Sequence, residues 1–588
     1  MNFLKTFFAS LLGSFAALGL ILFFFFISVA GIATTISSQE ALTTIKDNSI
    51  LSLDLNRLVR DRSQQFDAFQ VLFDMDDQPL GLNTIIAGIQ KAAADDRIKG
   101  IKLRSDITMS GWAQTHAIRE ALKSFRKSGK FIYAYADVLT QKGYYLASVA
   151  DSIMLNPAGM LDFKGLSSEV LYYKDFQEKY GVKMEVIRHG KYKSAVEPYL
   201  EKSMSVDNRK QIKVLLTAIW DTIRDEIATD RSLTPETIDA IASEVSAALP
   251  EQAVQKQLID ILGYEDEFDT MLKEAIGMPL TKKIKEVNVQ DMNASKSSYD
   301  KTIKDRIAVI YAQGPILYGE GSESVIAQGL FVKEIEKAAN DDWIKAIVLR
   351  VNSPGGSALT SEILWRSLER AKEKKPLVVS MGNTAASGGY YIAAGADKIF
   401  ADPLTVTGSI GVFATLPNLK NLSTSMGINA EQVSTHENAM GYSVFEPLSA
   451  GYKKTTLASI ENIYEMFKER VSDGRKLTLE EVETIAQGRV WSGKNALEVG
   501  LVDALGSLDD AVTAAAELAE IDQYNRIEYP QIEANIESLL SGINPTNLFQ
   551  NKIEKIIPEE IKPLFDNSKL KNQLLGIQTR IPFEIRIY

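Results

Sequence analysis

The sequence predicts an α/β protein built as two tandem copies of one domain, each with a mostly parallel sheet and packed helices, preceded by one transmembrane helix. Three observations carry this prediction. The chain repeats itself at a constant offset, each copy alternates β-rich apolar runs with helical patterns, and an uncharged apolar stretch stands near the N-terminus.

The apolar stretch comes first. No charge occurs from Thr6 to Ser38, and Phe7 to Gly31 reads FFASLLGSFAALGLILFFFFISVAG. As a helix this is about 37 Å long, enough to cross a bilayer. Ser28-Val29-Ala30 has the small-x-small form of a signal-peptide cleavage site, but the apolar run is far longer than an h-region of about 7–15 residues, so an anchor over 1–40 is the expectation. Lys5 precedes the run and Glu40 follows it, which by the positive-inside rule leaves the N-terminus in the cytoplasm and exports the remainder.

The repeat follows. Ile89, Lys91, Ala92, Asp95, Ile98, Ile101 and Arg104 recur 246 positions later at Ile335, Lys337, Ala338, Asp341, Ile344, Ile347 and Arg350, and Gly143-Tyr144-Tyr145 recurs at Gly389-Tyr390-Tyr391. Further on the offset slips to 244 (Arg231-x-Leu233-Thr234 against Arg475-x-Leu477-Thr478) and then to 243 (Leu258-x-Asp260 against Leu501-x-Asp503). One long period means two homologous domains rather than a solenoid. The expected boundaries are 41–290, a polar linker at 291–304, and 305–525, with a tail at 526–588 that has no assignment.

Within the second copy, Ile307–Tyr311, Ala346–Arg350 and Leu377–Ser380 read as buried strands, and Ser361–Lys374 and Tyr390–Gly395 as helices. Such alternation implies crossover connections and a parallel sheet. Val214–Ala228 and Leu457–Val471 have apolar residues at helical spacing and read as amphipathic helices.

Composition then narrows the chemistry. The 588 residues are 45% hydrophobic and 24% charged, with 37 Gly and 17 Pro, which is ordinary for globular domains. There is no cysteine, so thiol nucleophiles, disulfides and iron–sulfur ligation are excluded. The three histidines, His116, His189 and His436, lack metalloprotease spacing. A net charge of −11 argues against nucleic acid as a partner.

The places where the copies differ hold the candidate chemistry. Ser353-Pro354-Gly355-Gly356 follows a strand in the second copy only; paired glycines let backbone N–H groups meet a bound oxyanion, although this motif alone is better explained by a tight turn. Ser387 in Ala386-Ser387-Gly388-Gly389 faces Gln141 at offset 246, and Ser409 in Thr407-Gly408-Ser409-Ile410-Gly411 faces Phe163. Either serine fits a nucleophile on a glycine-permitted turn, or a cap. A serine needs a base, and Lys193, in Tyr192-Lys193-Ser194-Ala195-x-Glu197-Pro198, faces Ala439. Burial would turn such an amine into a base by disfavouring its ammonium form. Serine is thus lost from one copy and lysine from the other.

Taken together these motifs resemble the long, duplicated form of bacterial signal peptide peptidase A, a family of membrane-anchored Ser/Lys proteases in the Clp protease/crotonase superfamily, and the likeness runs from the anchor to about residue 525. The resemblance implies two Clp protease/crotonase-like domains, with Ser409 as nucleophile and Lys193 as general base meeting across the repeats. It gives Ser387, which looks like the Clp protease nucleophile position, a supporting role. It also implies oxyanion donors at Gly355 and Gly356 with the amide at Ser409 or Ile410, and a lysine-orienting role for Ser434 in Val433-Ser434-Thr435. No metal or organic cofactor is implied. The expected partners are apolar peptides such as cleaved signal peptides, the bacterial inner membrane with both domains on the periplasmic side, and further copies of the chain in a ring-like tetramer. Three competing readings are a crotonase-like acyl-CoA enzyme, a non-catalytic membrane scaffold that binds apolar peptides, and a triad of Ser409, His189 and an acid.

Overall fold

The computed structural model describes residues 5–7, 10–20, 44–63, 79–295, 299–531 and 577–580. The first copy is built on β1 (Ser49–Asp54), β2 (Ile98–Arg104), β3 (Phe131–Thr140), β4 (Ser152–Asp162), β6 (Ile261–Leu262) and β7 (Lys285–Val287), in the order β6-β4-β3-β2-β1-β7 with every pair parallel. Helices α1 (Leu82–Ala94) and α2 (Trp112–Arg126) and the long α3 (Val206–Asp230) pack their apolar stripes into its core. One strand, β5 (Lys183–Arg188), lies outside this sheet.

The second copy repeats the plan with β8 (Arg306–Gln313), β9 (Ile344–Ser353), β11 (Leu377–Ala386), β13 (Val406–Gly408), β15 (Val490–Ser492) and β17 (Asn525–Tyr529), in the order β15-β13-β11-β9-β8-β17. Beside β11 runs β12 (Lys398–Ala401), and beside that β16 (Ala504–Leu505). Only the β13–β15 pair is antiparallel. Strand β9 reads IKAIVLRVNS and is almost wholly buried, because a parallel sheet with both faces covered needs a continuous apolar run rather than an alternating one. Helices α4 (Ala358–Lys372), α5 (Gly388–Ala393) and α6 (Ala450–Arg475) complete the copy. Each strand and helix expected from sequence in this copy is present, lengthened or shifted by a few residues.

The repeated polar residues are explained by what they hold. Ser205 caps α3 by accepting from the Asn208 N–H, and Ser449, 244 positions later, caps α6 by accepting from that of Tyr452. At the far end Arg231 pairs with Asp260 at 2.6 Å, and Arg475 pairs with Asp503 at 2.6 Å. Each pair ties the loop after the long helix to the strand edge of its own copy, where Asp260 also accepts from Ile153 N–H and Asp503 from Ile399 N–H.

The copies are locked together by buried polar contacts and by a shared sheet. Asp61 of the first meets Arg350 of the second at 2.9 Å, both side chains nearly inaccessible, and also accepts from Gln114 and Asn352. His116 on α2 bonds Asp402 of the second copy at 2.6 Å through Nδ1 and Glu226 at 3.2 Å through Nε2. Leu404, Val406 and Val490 of the second copy sit in the core of the first. The shared sheet contains β10 (Gly355–Ser357), β14 (Phe413–Asn418), β18 (Ile577–Arg580) and β5, in the antiparallel order β10-β18-β14-β5.

Three expectations are modified. The anchor reading falls mostly outside the described residues, and among the described residues no helix is long and apolar enough to cross a membrane. The start of the expected linker is not irregular: Val289–Ala294 is a short helix capped by Asn288, and it buries Val289 and Met292 against the first core. The tail, left unassigned, supplies β18 to the shared sheet.

Candidate active site

Three parallel strands of the second copy end side by side. Ser353 of β9 pairs in register with Ala385 of β11, and Ala386 of β11 with Gly408 of β13. The carboxyl ends of parallel strands are where such sheets bind ligands, since the chain must turn there and exposes its backbone. Ser387 and Ser409 are the residues immediately beyond β11 and β13.

Both serines are fully buried and held at positive φ, 55° for Ser387 and 52° for Ser409. Such backbone is costly for a residue with a side chain and persists only where neighbours fix it. Here Ser387 N–H donates to Gly408 O at 2.8 Å, and Ser409 N–H donates to Arg489 O at 2.7 Å.

The lysine arrives from the other copy. After β5 the chain is pinned to the second copy by His189 N–H to Val412 O at 3.1 Å and Tyr192 N–H to Gln487 O at 3.0 Å. Lys193 then opens a short 3-10 turn at Ser194–Val196. The residues around it brace that turn against α3. Gln211 donates to Ser194 Oγ at 2.9 Å and to Tyr192 O at 3.2 Å, while Glu197 accepts from Asn208 Nδ2 at 2.9 Å and from Ser205 Oγ. Gly488 lies against the Lys193 backbone, with φ +85°, and a Cβ there would sit 2.6 Å from Lys193 N.

Lys193 is completely buried, and its Nζ has three acceptors: Ser387 Oγ at 2.9 Å, Ser409 Oγ at 3.0 Å and Ser409 O at 3.0 Å. All three are neutral. Desolvation without a compensating carboxylate holds the Lys193 ammonium well below the ordinary lysine value, which favours the free amine. An amine of that kind, within hydrogen-bond reach of a hydroxyl, is what proton abstraction from serine requires.

The other residues expected from sequence fall as follows. Gly355 and Gly356 form β10 beside Ser353; Gly355 has φ 92° and donates to Ser353 Oγ at 3.1 Å, and a Cβ on Gly356 would lie 1.9 Å from Ile316 O. Only glycines permit this path. Ile410 is buried and its carbonyl accepts from Gly488 N–H. Ser434 is exposed, in a stretch from Ala430 to Met440 that is exposed throughout, and the hydroxyl that meets the lysine amine is Ser387 instead. His189 packs at a tilt against the Tyr464 ring, with ring centroids 4.3 Å apart, rather than bonding Ser409. In the first copy the equivalent ground is filled: Phe163 packs edge-on to Tyr144, and Gln141 closes the turn at Lys164 and Gly165.

Sequence reasoning missed the Ser387 contact and the role of Gly488. Gly488 carried a readable signal, since the first copy has Glu244-Val245 at the matching offsets. Among the described residues, one group of side chains has metal-ligand spacing, His116, Glu120 and Glu226. Asp402 and Glu226 occupy both His116 nitrogens and, despite burial, push its pKa up to about 10, which opposes the neutral imidazole that metal binding needs.

Comparison with known proteins gives the family of the chain. The profile of Peptidase family S49 matches residues 124–278 and 369–522, one segment in each copy. The chain is 35% identical to Protease 4 of Salmonella typhi, over 83% of this chain and 79% of that one, and 36% identical to Protease 4 of Haemophilus influenzae, over 76% and 75%. It is 31% identical to the chloroplastic serine protease SPPA of Arabidopsis thaliana, over 88% of this chain and 76% of that one. A double match at the spacing of the internal repeat, with relatives aligned over three quarters or more of the chain, places this protein in Peptidase family S49, as a serine peptidase of the duplicated form.

Proposed function

We propose that the protein is a membrane-anchored endopeptidase that cleaves apolar peptides, remnant signal peptides among them, with Ser409 as nucleophile and Lys193 as general base. The observation that carries this reading is the fully buried Lys193 amine 3.0 Å from Ser409 Oγ, supplied by one copy to the serine of the other. The neutral amine takes the hydroxyl proton as the oxygen attacks a peptide carbonyl. The same lysine, now an ammonium, returns that proton to the leaving amine, and water then resolves the acyl-enzyme by the same relay. The proposed donors to the oxyanion are Gly356 and the amide at Ile410, because the Gly355 N–H is given to Ser353 Oγ and the Ser409 N–H to Arg489 O. Ser387 holds the amine between the two turns.

The anchor at Phe7–Gly31, with both domains on the periplasmic face of the inner membrane, belongs to the same proposal, because tethering concentrates the enzyme where apolar peptides are released. So does a tetramer. Exposed Phe176 and Tyr180, close to exposed Met426 and Ile428 across the Leu422 N–H to Gly181 O contact, offer apolar surface for self-association.

The test is hydrolysis of a fluorogenic apolar peptide by detergent-solubilised wild type, Ser409→Ala, Ser387→Ala, Lys193→Ala and His189→Ala. The proposal expects activity to vanish with Ser409→Ala and to fall about 10²–10⁴-fold with Lys193→Ala. Full activity in Ser409→Ala, with none in Ser387→Ala, transfers the nucleophile to Ser387.

A further inference from the structure

The long helix of each copy keeps its cap but differs at two inward positions. Ser205 of α3 answers to Ser449 of α6, and at the same offset of 244 Asn208 answers to Tyr452 and Gln211 to Thr455. Thr455 is exposed and donates to Gly451 O of its own helix, whereas Asn208 and Gln211 are 0% and 2% exposed. The buried amides stand in the copy that carries Lys193.

A chain of donors and acceptors fixes how each amide faces. The Glu197 carboxylate accepts from Asn208 Nδ2 at 2.9 Å, so Asn208 turns its Oδ1 to Gln211 Nε2, at 3.1 Å. Gln211 Nε2 also donates to Tyr192 O at 3.2 Å and Ser194 Oγ at 2.9 Å, the groups on either side of Lys193. Its Oε1 is left facing the second copy, where it accepts from Val490 N–H at 3.4 Å. Val490 lies on β15, the outer strand of its sheet. The ladder bond from Ser409 N–H to Arg489 O makes Gly408↔Val490 a non-hydrogen-bonded pair, so Val490 N–H points off that edge and needs an acceptor from outside the sheet.

We propose that Gln211 is a positioning residue for the reaction: its nitrogen grips the turn that carries Lys193, its oxygen grips the strand that supports Ser409, and one amide thereby sets base and nucleophile in register. This role rests on the peptidase reading of Ser409 and Lys193 above. The two residues are 216 positions apart and belong to different copies, so a 3.0 Å contact between them depends on ties of this kind. Arg489, next to Val490, holds Ser409 N–H through its carbonyl at 2.7 Å, so the Gln211 link ends one residue from the serine turn. The task needs a side chain that donates and accepts at once. Glutamate of the same length has no donor, and methionine offers neither good donor nor good acceptor. The charged groups about the lysine turn are Glu197 on its own segment, Arg188 on β5, which donates to Lys193 O at 3.4 Å, and Arg489, which lies over the Tyr192 ring. A carboxylate at position 211 would add a negative charge beside the peptide groups that flank Lys193.

The test uses the full chain in detergent and the fluorogenic apolar peptide, with Gln211→Met, Gln211→Glu and, as a control for stability, Leu215→Ala. Leu215 is one turn along α3 and buried in the first core, so its loss unsettles the helix without touching the lysine turn. Gln211→Met is expected to lower kcat about tenfold or more with KM within about twofold of wild type. Gln211→Glu is expected to move the acid limb of kcat/KM to higher pH by about half a unit or more, because a nearby carboxylate favours the ammonium form of Lys193. Leu215→Ala should lower the melting temperature at least as far as Gln211→Met does and leave kcat within about twofold. A kcat for Gln211→Met no lower than that of Leu215→Ala overturns the proposal, and so does an unmoved acid limb in Gln211→Glu. A titration of lysine ¹³Cε chemical shifts, with the Lys193 signal assigned by its loss in Lys193→Met, reads the amine without catalysis. A wild type that hydrolyses no peptide overturns the peptidase reading; in that event a Lys193 titration displaced upward by Gln211→Glu still supports the link from Gln211 to the amine, and an undisplaced one overturns it.

Discussion

Gly488→Ala is the sharpest probe of how the lysine is placed, because Gly488 touches the backbone of Lys193 and none of the reacting atoms described above. A Cβ there would lie 2.6 Å from Lys193 N and 2.7 Å from both its Cα and Cβ, whereas ordinary contact begins near 3.4 Å. Relief needs about 0.8 Å of movement (3.4 − 2.6), and the atoms met are backbone N and Cα and the Cβ fixed to them, which cannot swing aside as a side-chain tip does. If the Lys193 turn moves, an Nζ now 3.0 Å from Ser409 Oγ passes out of hydrogen-bond range. A misplacement of about 1 Å costs on the order of 10²-fold in rate. The left-handed φ of +85° adds about 1–2 kcal/mol of strain for any residue with a Cβ. Expected, then, are a kcat on the fluorogenic peptide lowered roughly 10²-fold and a melting temperature lowered by a few degrees. A variant with the lower melting temperature but a kcat within about twofold of wild type refutes the reasoning, since the strain would then be absorbed by Gln487–Arg489 without moving the amine.

Three further outcomes follow from the charges. Between the depressed folded value of Lys193 and the ordinary 10.5, the unfolded chain binds the extra proton, so wild-type stability rises with pH across that window. Lys193→Met escapes this cost. It should be more stable than wild type at pH 7 in urea denaturation, with the advantage gone near pH 10.5, and the acid limb of wild-type kcat/KM should lie below the ordinary lysine range. His116 has the opposite sign: its folded pKa of about 10 exceeds the ordinary imidazole value of 6.5, so its contribution is complete below about pH 6.5 and is lost as pH rises through 10. His116→Gln should therefore cost about 3–5 kcal/mol at pH 6 and much less at pH 10, by denaturant titration at the two values. Asp61→Asn leaves the buried Arg350 guanidinium without its carboxylate and should cost about 3–5 kcal/mol at neutral pH, measured the same way.

The fold was readable because duplication writes each core twice. Residues such as Arg231 and Asp260 recur as Arg475 and Asp503 since each pair closes the same joint, and matching Ser205 to Ser449 even marks the helix starts. Ser409 and Lys193 stood out through complementary loss, against Phe163 and Ala439. The rest depends on closeness in space that no local pattern encodes. Ser387 lies 194 residues from the amine it bonds, and Ser434, chosen for its motif, belongs to a stretch that stays at the surface. Strand β18 reads only IQTR, with no repeat partner and no apolar alternation, and it is defined entirely by the edges on either side of it.

The pairing of β5 with β14 has a temporal consequence. Lys193 and Ser409 are 216 positions apart, and the strand leading to the lysine finds its partner only when residues 413–418 exist. Until then the half-synthesised chain has neither its serine nor the second-copy walls that bury Lys193, which remains a hydrated ammonium with no proton-abstracting power. On the proposed mechanism the base itself is thus made by the docking of the two copies. A ribosome carrying the first copy alone has no Ser409 for Lys193 to meet, so the proposed dyad is completed only when the second copy folds onto the first.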